Sequence, residues 1–546
     1  MEPTIAPTRA APPRETRRDL RPDLLWLGAL AILLVLDART IAGLPVHHDI
    51  AYPLYAAREM LAGKRLYVDI VQIHPPLVFW WATLAELVSR LVGVSDIAVY
   101  HFFSLVAVAG STTLNAVLLR RLLPHSAWTR SALLAVQAFL LLPFVGYSLG
   151  QEEHLMLALT WPYLLAAALA ARGRDTGRWG SWVGCMAAVG FAMKPPYALT
   201  WLAVEAYIAL SQRRFRWRRE TILVAAGLVA YGLAMVVFTP ALFRMIIWGA
   251  GSYANYLDRP LLVVVLVPQT YLVLCGALAA VLPRDPETGA LRHVAAIAVI
   301  PSSLIVYAQL KGWSYHWYPA VALALYLIAL AAVGLLRARH PGQAGEGAAG
   351  TPDREGEQVG RRGLRGLRSP ALWTSVLLLA LVGTGDYMLA GTRRLYRDLR
   401  LPPYHLPAMR YFVQAFGRGG PIMVISDIMQ PAFPLVNYEG VSLASRFPCL
   451  WMLPGLYVRE RGAAVPFPYH DPSNMAPLER YMINAVVEDM QRARPTLLIM
   501  DLEPPYLLPA FDYAAYFTRD PRFRELMSHY ERVVRYHRYL IWRRVR

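Results

Sequence analysis

Cysteine is nearly absent: the 546 residues contain three, at Cys185, Cys275 and Cys449. Two lie in apolar runs and the third stands alone near the C-terminus, which excludes a disulfide framework, a cysteine zinc site and thiol redox chemistry. Lysine is equally scarce. Of 55 basic residues only Lys64, Lys194 and Lys311 are lysines, and arginine serves almost everywhere else. Charge of any kind is thin, at 17% against 56% hydrophobic residues, a balance too apolar for a water-soluble globular protein. No internal repeat of the kind that marks many transporters is visible. The region after residue 390 contains no nucleophile elbow, phosphate loop or CxxC. Although the formal net charge is +18, the arginines fall in short clusters between apolar runs. Orientation in a bilayer explains that pattern, and nucleic-acid binding does not.

What is present is a series of apolar runs. A membrane helix needs about 20 mostly apolar residues, and basic residues gather on its cytoplasmic side. The Pro- and Arg-rich stretch 1–23 is unlike a cleaved signal peptide and reads as a disordered cytoplasmic tail. A first run, 24–44, then emerges on the outer side at "PVHHDIAYPLY". The outer loop 45–96 carries two charged, helix-periodic stretches, "AAREMLAGKRLY" and "PPLVFWWATLAELVSRLVG", expected to lie in the interface. Further spans are expected at 97–119, 131–146, 155–171, 180–193, 197–210, 221–238, 261–282, 294–310, 318–336 and 371–389, about eleven in all. This path puts "RRLLPHSAWTR", "RGRDTGR", "RRFRWRRE", "PRDPETGALRH" and a Gly- and charge-rich linker, 337–369, on the cytoplasmic side.

The expected fold is thus a mainly α polytopic membrane protein, with a membrane domain over 24–390 and a small α/β domain over 391–546 on the outer face. Short runs "PIMVIS", "PTLLIMD" and "RYLIWRR" read as strands of that domain, and "PLERYMINAVVEDM" and "DPRFRELMSHYERV" as helices.

On this path polar groups collect at the outer membrane face: His47, His48 and Asp49; Lys64 and Arg65; His74; Glu152, Glu153 and His154; Lys194; Lys311 and His316. All three lysines are among them. Taken singly, each is as well explained as an interfacial anchor as by function, but acidic groups from two loops with lysines from three suit an anionic substrate beside a general base. His47, His48, Asp49, Glu153 and His154 also have the donor types for a divalent metal. Trp313, Tyr315, Trp317 and Tyr318 read first as an aromatic belt, with stacking on sugar or isoprenoid a second use.

An early first-loop aspartate, "AxxMLxGKxLY", "HPPL", an acidic second outer loop, "GFAMKPP" and a late "KGWSYHWYP", in this order over about 24–340, resemble the C-type (GT-C) glycosyltransferase superfamily. The similarity is greatest to its protein O-mannosyltransferase and lipid A aminoarabinose transferase branch. That resemblance implies an inner-membrane enzyme moving a sugar from a polyprenyl-phosphate donor to an envelope glycan, lipid or protein acceptor on the periplasmic face, with inversion. It casts Asp49 as the base or acceptor-positioning residue. Ile50 stands where the family commonly has a glutamate beside that aspartate, which sets this chain apart from metal-bridged versions of the site. Lys194, Lys311, Lys64, Arg65 and His316 are then the candidates for the donor phosphate, and His48, His74, Glu152 and Glu153 for acceptor binding or support of Asp49. The glutamates also have a structural role open to them at a helix N-terminus. The arginine-rich terminal domain would attract anionic envelope glycans. Two other classes are compatible with these residues, a lipid or sugar transporter and a non-catalytic scaffold of envelope assembly.

Overall fold

Helices make up most of the described residues up to 339. The computed structural model describes residues 21–256, 260–281, 286–339, 383–385, 406–460, 466–504, 507 and 511–545. Most of the expected N-terminal tail, the linker beyond residue 339 and, but for 383–385, the expected span 371–389 lie outside the described residues.

Fourteen helices precede the linker: α1 (Arg21–Ala42), α2 (His48–Leu61), α3 (Leu77–Val92), α4 (Asp96–Leu122), α5 (Ala127–Leu141), α6 (Glu152–Ala171), α7 (Gly180–Met193), α8 (Ala198–Ser211), α9 (Arg219–Phe238), α10 (Ala241–Asn255), α11 (Leu261–Val265), α12 (Pro268–Ala280), α13 (Gly289–Gln309) and α14 (Ser314–Arg339). Five of them, α4, α6, α9, α13 and α14, are long and apolar enough to cross a membrane. The shorter α5 and α12 are also predominantly apolar.

Local sequence explains most boundaries. Helix α7 stops at Met193 because Lys194 precedes Pro195, which disfavours helical backbone at the residue before it; Lys194 is extended (φ −136°, ψ 81°). The run expected as one helix at 261–282 is divided, with Pro268 opening α12 at a position that needs no backbone N–H. Helix α5 begins four residues before the expected 131–146 run and ends at Leu141. Sequence periodicity did not single out α10, "ALFRMIIWGAGSYAN", which ends on Ser, Tyr and Asn, outside a lipid-spanning composition.

Many helix ends gather in two layers. One layer joins the starts of α2, α6 and α14 to the ends of α7 and α13 around a single cavity. The opposite layer is tied by polar loops: Ser126 donates to Glu287 (2.7 Å), Arg337 pairs with Glu287 (2.6 Å), Arg172 donates to Leu122 O (3.3 Å), and Arg174 donates to Arg121 O (3.1 Å). Helix α6 is buried on nearly every side and forms the axis of the bundle. Helix α9, apolar yet mostly exposed, has the surface of a lipid-facing helix.

After the linker the chain forms a small α/β unit with strands β1 (Ile422–Ile425), β2 (Leu497–Asp501), β3 (Tyr530–Tyr536) and β4 (Tyr539–Arg544) in the order β1-β2-β4-β3. The first pair is parallel and the other two antiparallel. Strands β1 and β2 are buried along their whole length, which is why "IMVI" and "LLIM" are unbroken apolar runs. The stretch expected as one helix, "DPRFRELMSHYERV", is a short helix, Pro521–Met527, followed by β3; its Tyr and Val residues suit a strand paired to β4.

This unit is seated on the cavity end of the bundle. The Tyr438 hydroxyl accepts from Val46 N (2.8 Å), Asn437 donates to Ala51 O (2.9 Å), and the Tyr55 hydroxyl accepts from Leu443 N (2.8 Å). Phe433 lies edge-on to Tyr52 and Tyr55, at 5.2 and 5.5 Å between ring centroids.

Candidate active site

The cavity at the bundle end has a volume of about 200 Å³, a size that suits a sugar head group and not a whole lipid. Asp49 enters it from the first turn of α2. His47 caps that turn, its Nδ1 accepting from Asp49 N at 3.1 Å, so the carboxylate lies at the positive end of the helix. Gln151 Nε2 donates to Asp49 Oδ2 at 3.0 Å, and His48 Nε2 faces Oδ1 at 3.5 Å. Burial would raise the Asp49 pKa, but His48, His47 and His74 facing the carboxylate outweigh it and hold the group below the ordinary carboxylate value. Asp49 is therefore ionised and able to take a proton.

Gln151 owes its place to the turn before it. Gly150 has φ +92°, and a Cβ there would come within 3.0 Å of Ser104 Oγ and 3.1 Å of Tyr100, so only glycine fits. His154 braces the turn by accepting from Gly150 N (3.0 Å) and donating to Leu141 O (2.9 Å). The structure thus gives this buried histidine two backbone partners, and a third comes to the turn from the Tyr100 hydroxyl, which donates to Gly150 O at 2.9 Å.

Across the cavity Lys194, freed from helical backbone by the following prolines, sits between two carboxylates. Its Nζ lies 2.9 Å from Glu152 and 3.0 Å from Glu153, with only 15% of the side chain exposed. His74 Nδ1 is 3.3 Å from Glu152, and His316 Nε2 is 3.6 Å from Glu153. Both glutamates open α6, where the helix dipole favours negative charge. Tyr253, Trp313 and Tyr315 provide aromatic wall, and Met429 of the C-terminal unit contributes to the lining.

Of the residues singled out from the sequence, Asp49, His74, Glu152, Glu153, Lys194 and His316 line this one cavity, with His48 beside Asp49. Lys311 stands behind the wall: its Nζ donates to Tyr253 O (2.7 Å) and Ala254 O (2.9 Å) and lies over the Tyr253 ring at 5.1 Å. It caps the last turn of α10. Lys64 and Arg65 are not brought to the cavity. Lys64 pairs with Glu59, and Arg65 with Asp69 at 3.3 Å. Their expected part in holding the donor phosphate has no geometric support, because the tight turn after α2 directs Lys64 back to Glu59 in α2 and Arg65 to Asp69 in the loop.

Gln151, Tyr253, Met429 and Gln430 were not foreseen. Gln151 is adjacent to the acidic pair in "GQEEHL" and could have been suspected from that; nothing local marks the others. His47, His48 and Asp49 each offer a donor atom within 4.8 Å of one another, a set chemically able to hold a divalent ion. Glu153 and His154, the other two expected donors, are instead engaged with Lys194 and with the Gly150 turn.

Residues 73–248 match the family described as dolichyl-phosphate-mannose-protein mannosyltransferase. No curated protein sequence matches the chain. Among solved structures, ArnT from Cupriavidus metallidurans bound to undecaprenyl phosphate is 14% identical, covers 96% of this chain and 98% of its own, and superposes with a TM-score of 0.53. The apo form of ArnT from the same organism gives 15% identity, the same coverage and a TM-score of 0.48. The archaeal oligosaccharyltransferase AglB from Archaeoglobus fulgidus, in complex with an inhibitory peptide and a dolichol-phosphate, gives 11%, 89% of this chain and 70% of that one, and 0.45. The likeness to undecaprenyl-phosphate-bound ArnT establishes a shared fold along nearly the whole chain. Residues 73–248 carry the family similarity within this shared fold of a multi-pass membrane protein.

Proposed function

We propose that the enzyme transfers a sugar from a polyprenyl-phosphate donor to an acceptor of the cell envelope, on the periplasmic face of the inner membrane and with inversion. The observation that carries this reading is the cavity in which an ionised Asp49 faces a lysine and two histidines drawn from three other parts of the bundle. Undecaprenyl phosphate in the ArnT structure supports a lipid-phosphate donor.

In this reading an acceptor hydroxyl attacks the anomeric carbon while its proton passes to Asp49 Oδ. The bond from that carbon to the phosphate oxygen breaks, and the polyprenyl phosphate leaves with the bonding pair. Lys194, a compact charge suited to phosphate, offsets the negative charge that develops on the leaving group, with His74 and His316 as neighbouring donors. Glu152 and Glu153 hold Lys194 in position, and in the resting site they are its only anionic partners among the described residues. Trp313 and Tyr315, stacked at 5.7 Å, offer a face on which a sugar ring can lie. The membrane path has about eleven spans with the N-terminus in the cytoplasm, and the α/β unit faces the periplasm.

Mass spectrometry of envelope glycans in cells lacking the gene tests the proposal, with complementation by wild type or by Asp49→Asn at equal membrane levels. A sugar that disappears on deletion and returns only with wild type is the expected result. Full restoration by Asp49→Asn overturns Asp49 as the base; an unchanged envelope on deletion overturns the transferase assignment to this compartment.

A further inference from the structure

Asp49 is held from two sides that belong to different parts of the molecule. Gln151 reaches Oδ2 from the start of α6, whereas His48, opposite Oδ1, is contacted from the C-terminal unit. Gln430 Nε2 lies 2.9 Å from His48 Nδ1. Gln430 follows Met429, which lines the cavity, and both lie in the connection after β1. That connection is anchored on either side: the Tyr256 hydroxyl donates to Asp427 O at 2.9 Å, and Phe433 packs on the rings of Tyr52 and Tyr55. Its position against α2 is built in.

The chemistry of imidazole gives this contact a consequence. A neutral histidine carries one N–H, and the partner of one ring nitrogen decides the state of the other. With an amide N–H directed at Nδ1, that nitrogen is the acceptor and the proton resides on Nε2, the nitrogen facing Asp49 Oδ1 at 3.5 Å.

We propose that Gln430 is a positioning residue for sugar transfer: by donating to His48 Nδ1 it sets the histidine tautomer that presents Nε2–H to Asp49. The carboxylate is then approached from two sides, with Gln151 donating to Oδ2 and His48 Nε2 facing Oδ1. Its plane is fixed by these two contacts. The C-terminal unit therefore completes the site and is more than a surface for acceptor capture. This inference rests on the reading of Asp49 as the base.

The test is a double-mutant cycle in gene-deleted cells, read as the initial rate at which the envelope sugar lost on deletion reappears after induction. Membrane levels are matched, and thermal unfolding of each purified full-length protein is compared. Gln430→Met keeps the side-chain length and removes the donor; His48→Gln supplies an amide N–H toward Asp49 that needs no tautomer control. Gln430→Met is expected to slow restoration about tenfold, a fraction of what a general base contributes. In the His48→Gln background it should cause no further loss. A wild-type rate for Gln430→Met overturns the inference, as does an undiminished loss in the His48→Gln background, which would mark a simple docking contact. Asp49→Asn, run alongside, separates the two levels. If it is inactive while Gln430→Met is normal, only the positioning role fails; if it is active, the base itself was misassigned.

Discussion

Lys194 is the residue on which the charge balance of the cavity depends. It is 15% exposed between carboxylates that are 11% and 3% exposed, so removing it leaves two buried negative charges facing each other. Breaking a buried pair in this way costs about 3–5 kcal/mol. Lys194→Met should therefore lower thermal stability and abolish transfer, whereas Lys194→Met with Glu153→Gln should regain stability without regaining transfer. Recovery of both would deny the lysine any role at the phosphate. Lys311 behaves differently, since its charge is used on two carbonyls at the end of α10. Charge-assisted bonds of this kind contribute about 1.5–3 kcal/mol. Lys311→Met is expected to lower the melting temperature while leaving the donor KM nearly unchanged; a large rise in KM would bring Lys311 back to the donor site. His47 and His48 already have hydrogen-bond partners in Gln151 and Gln430, so chelation should alter the transfer rate less than twofold. Loss of activity with EDTA and recovery with a divalent ion would show that these side chains are ligands.

At the scale of elements, the turn before α6 sets the geometry of the base. Gly150→Ala would place a side chain at φ +92° against Ser104 and Tyr100, a strain of about 1–3 kcal/mol. Because the strained residue adjoins Gln151, transfer should fall further than stability does, as separate activity and melting measurements would show. In the α/β unit, His470 has an analogous structural partner. Glu479, fully buried, accepts from the hydroxyls of Tyr457 and Tyr516 and lies 2.7 Å from His470 Nδ1. Partial burial alone would lower the His470 pKa, but the bonds and charges of Glu479 and Glu460 raise it. Protonated His470 is favoured in the folded unit, so its stabilisation is complete below the ordinary histidine pKa of about 6.5 and is lost as pH rises through the raised value. With a quarter of the side chain exposed, screening keeps the effect to about 1 kcal/mol or less. His470→Gln should flatten the pH dependence of unfolding in this range.

For the whole molecule, the two layers of helix ends have opposite characters. The layer of Arg121, Arg172, Arg174 and Arg337 is tied by arginines, as expected of a cytoplasmic side, and the other contains the cavity and the α/β unit. Reporter fusions should accordingly place the loop between α4 and α5 inside and residue 546 outside. Both on one side would overturn the eleven-span path. The membrane class, most helices and the inventory of charged groups were legible in the sequence, because hydrophobic runs, prolines and arginine clusters act over a few turns of chain. Helix α7 ends where "MKPPY" says it must, and Asp49, Glu152, Glu153 and Lys194 stood out as ionisable groups at span ends. Which of those groups share a site was decided only by tertiary structure. Lys64 and Arg65 were as good candidates as Lys194 until the turn after α2 directed them to Glu59 and Asp69. Gln430 lies 382 positions from His48 in sequence and carries no charge, motif or periodicity of its own. Its meeting with that histidine arises from the seating of one folded unit on another, a long-range event that no short stretch of sequence encodes by itself.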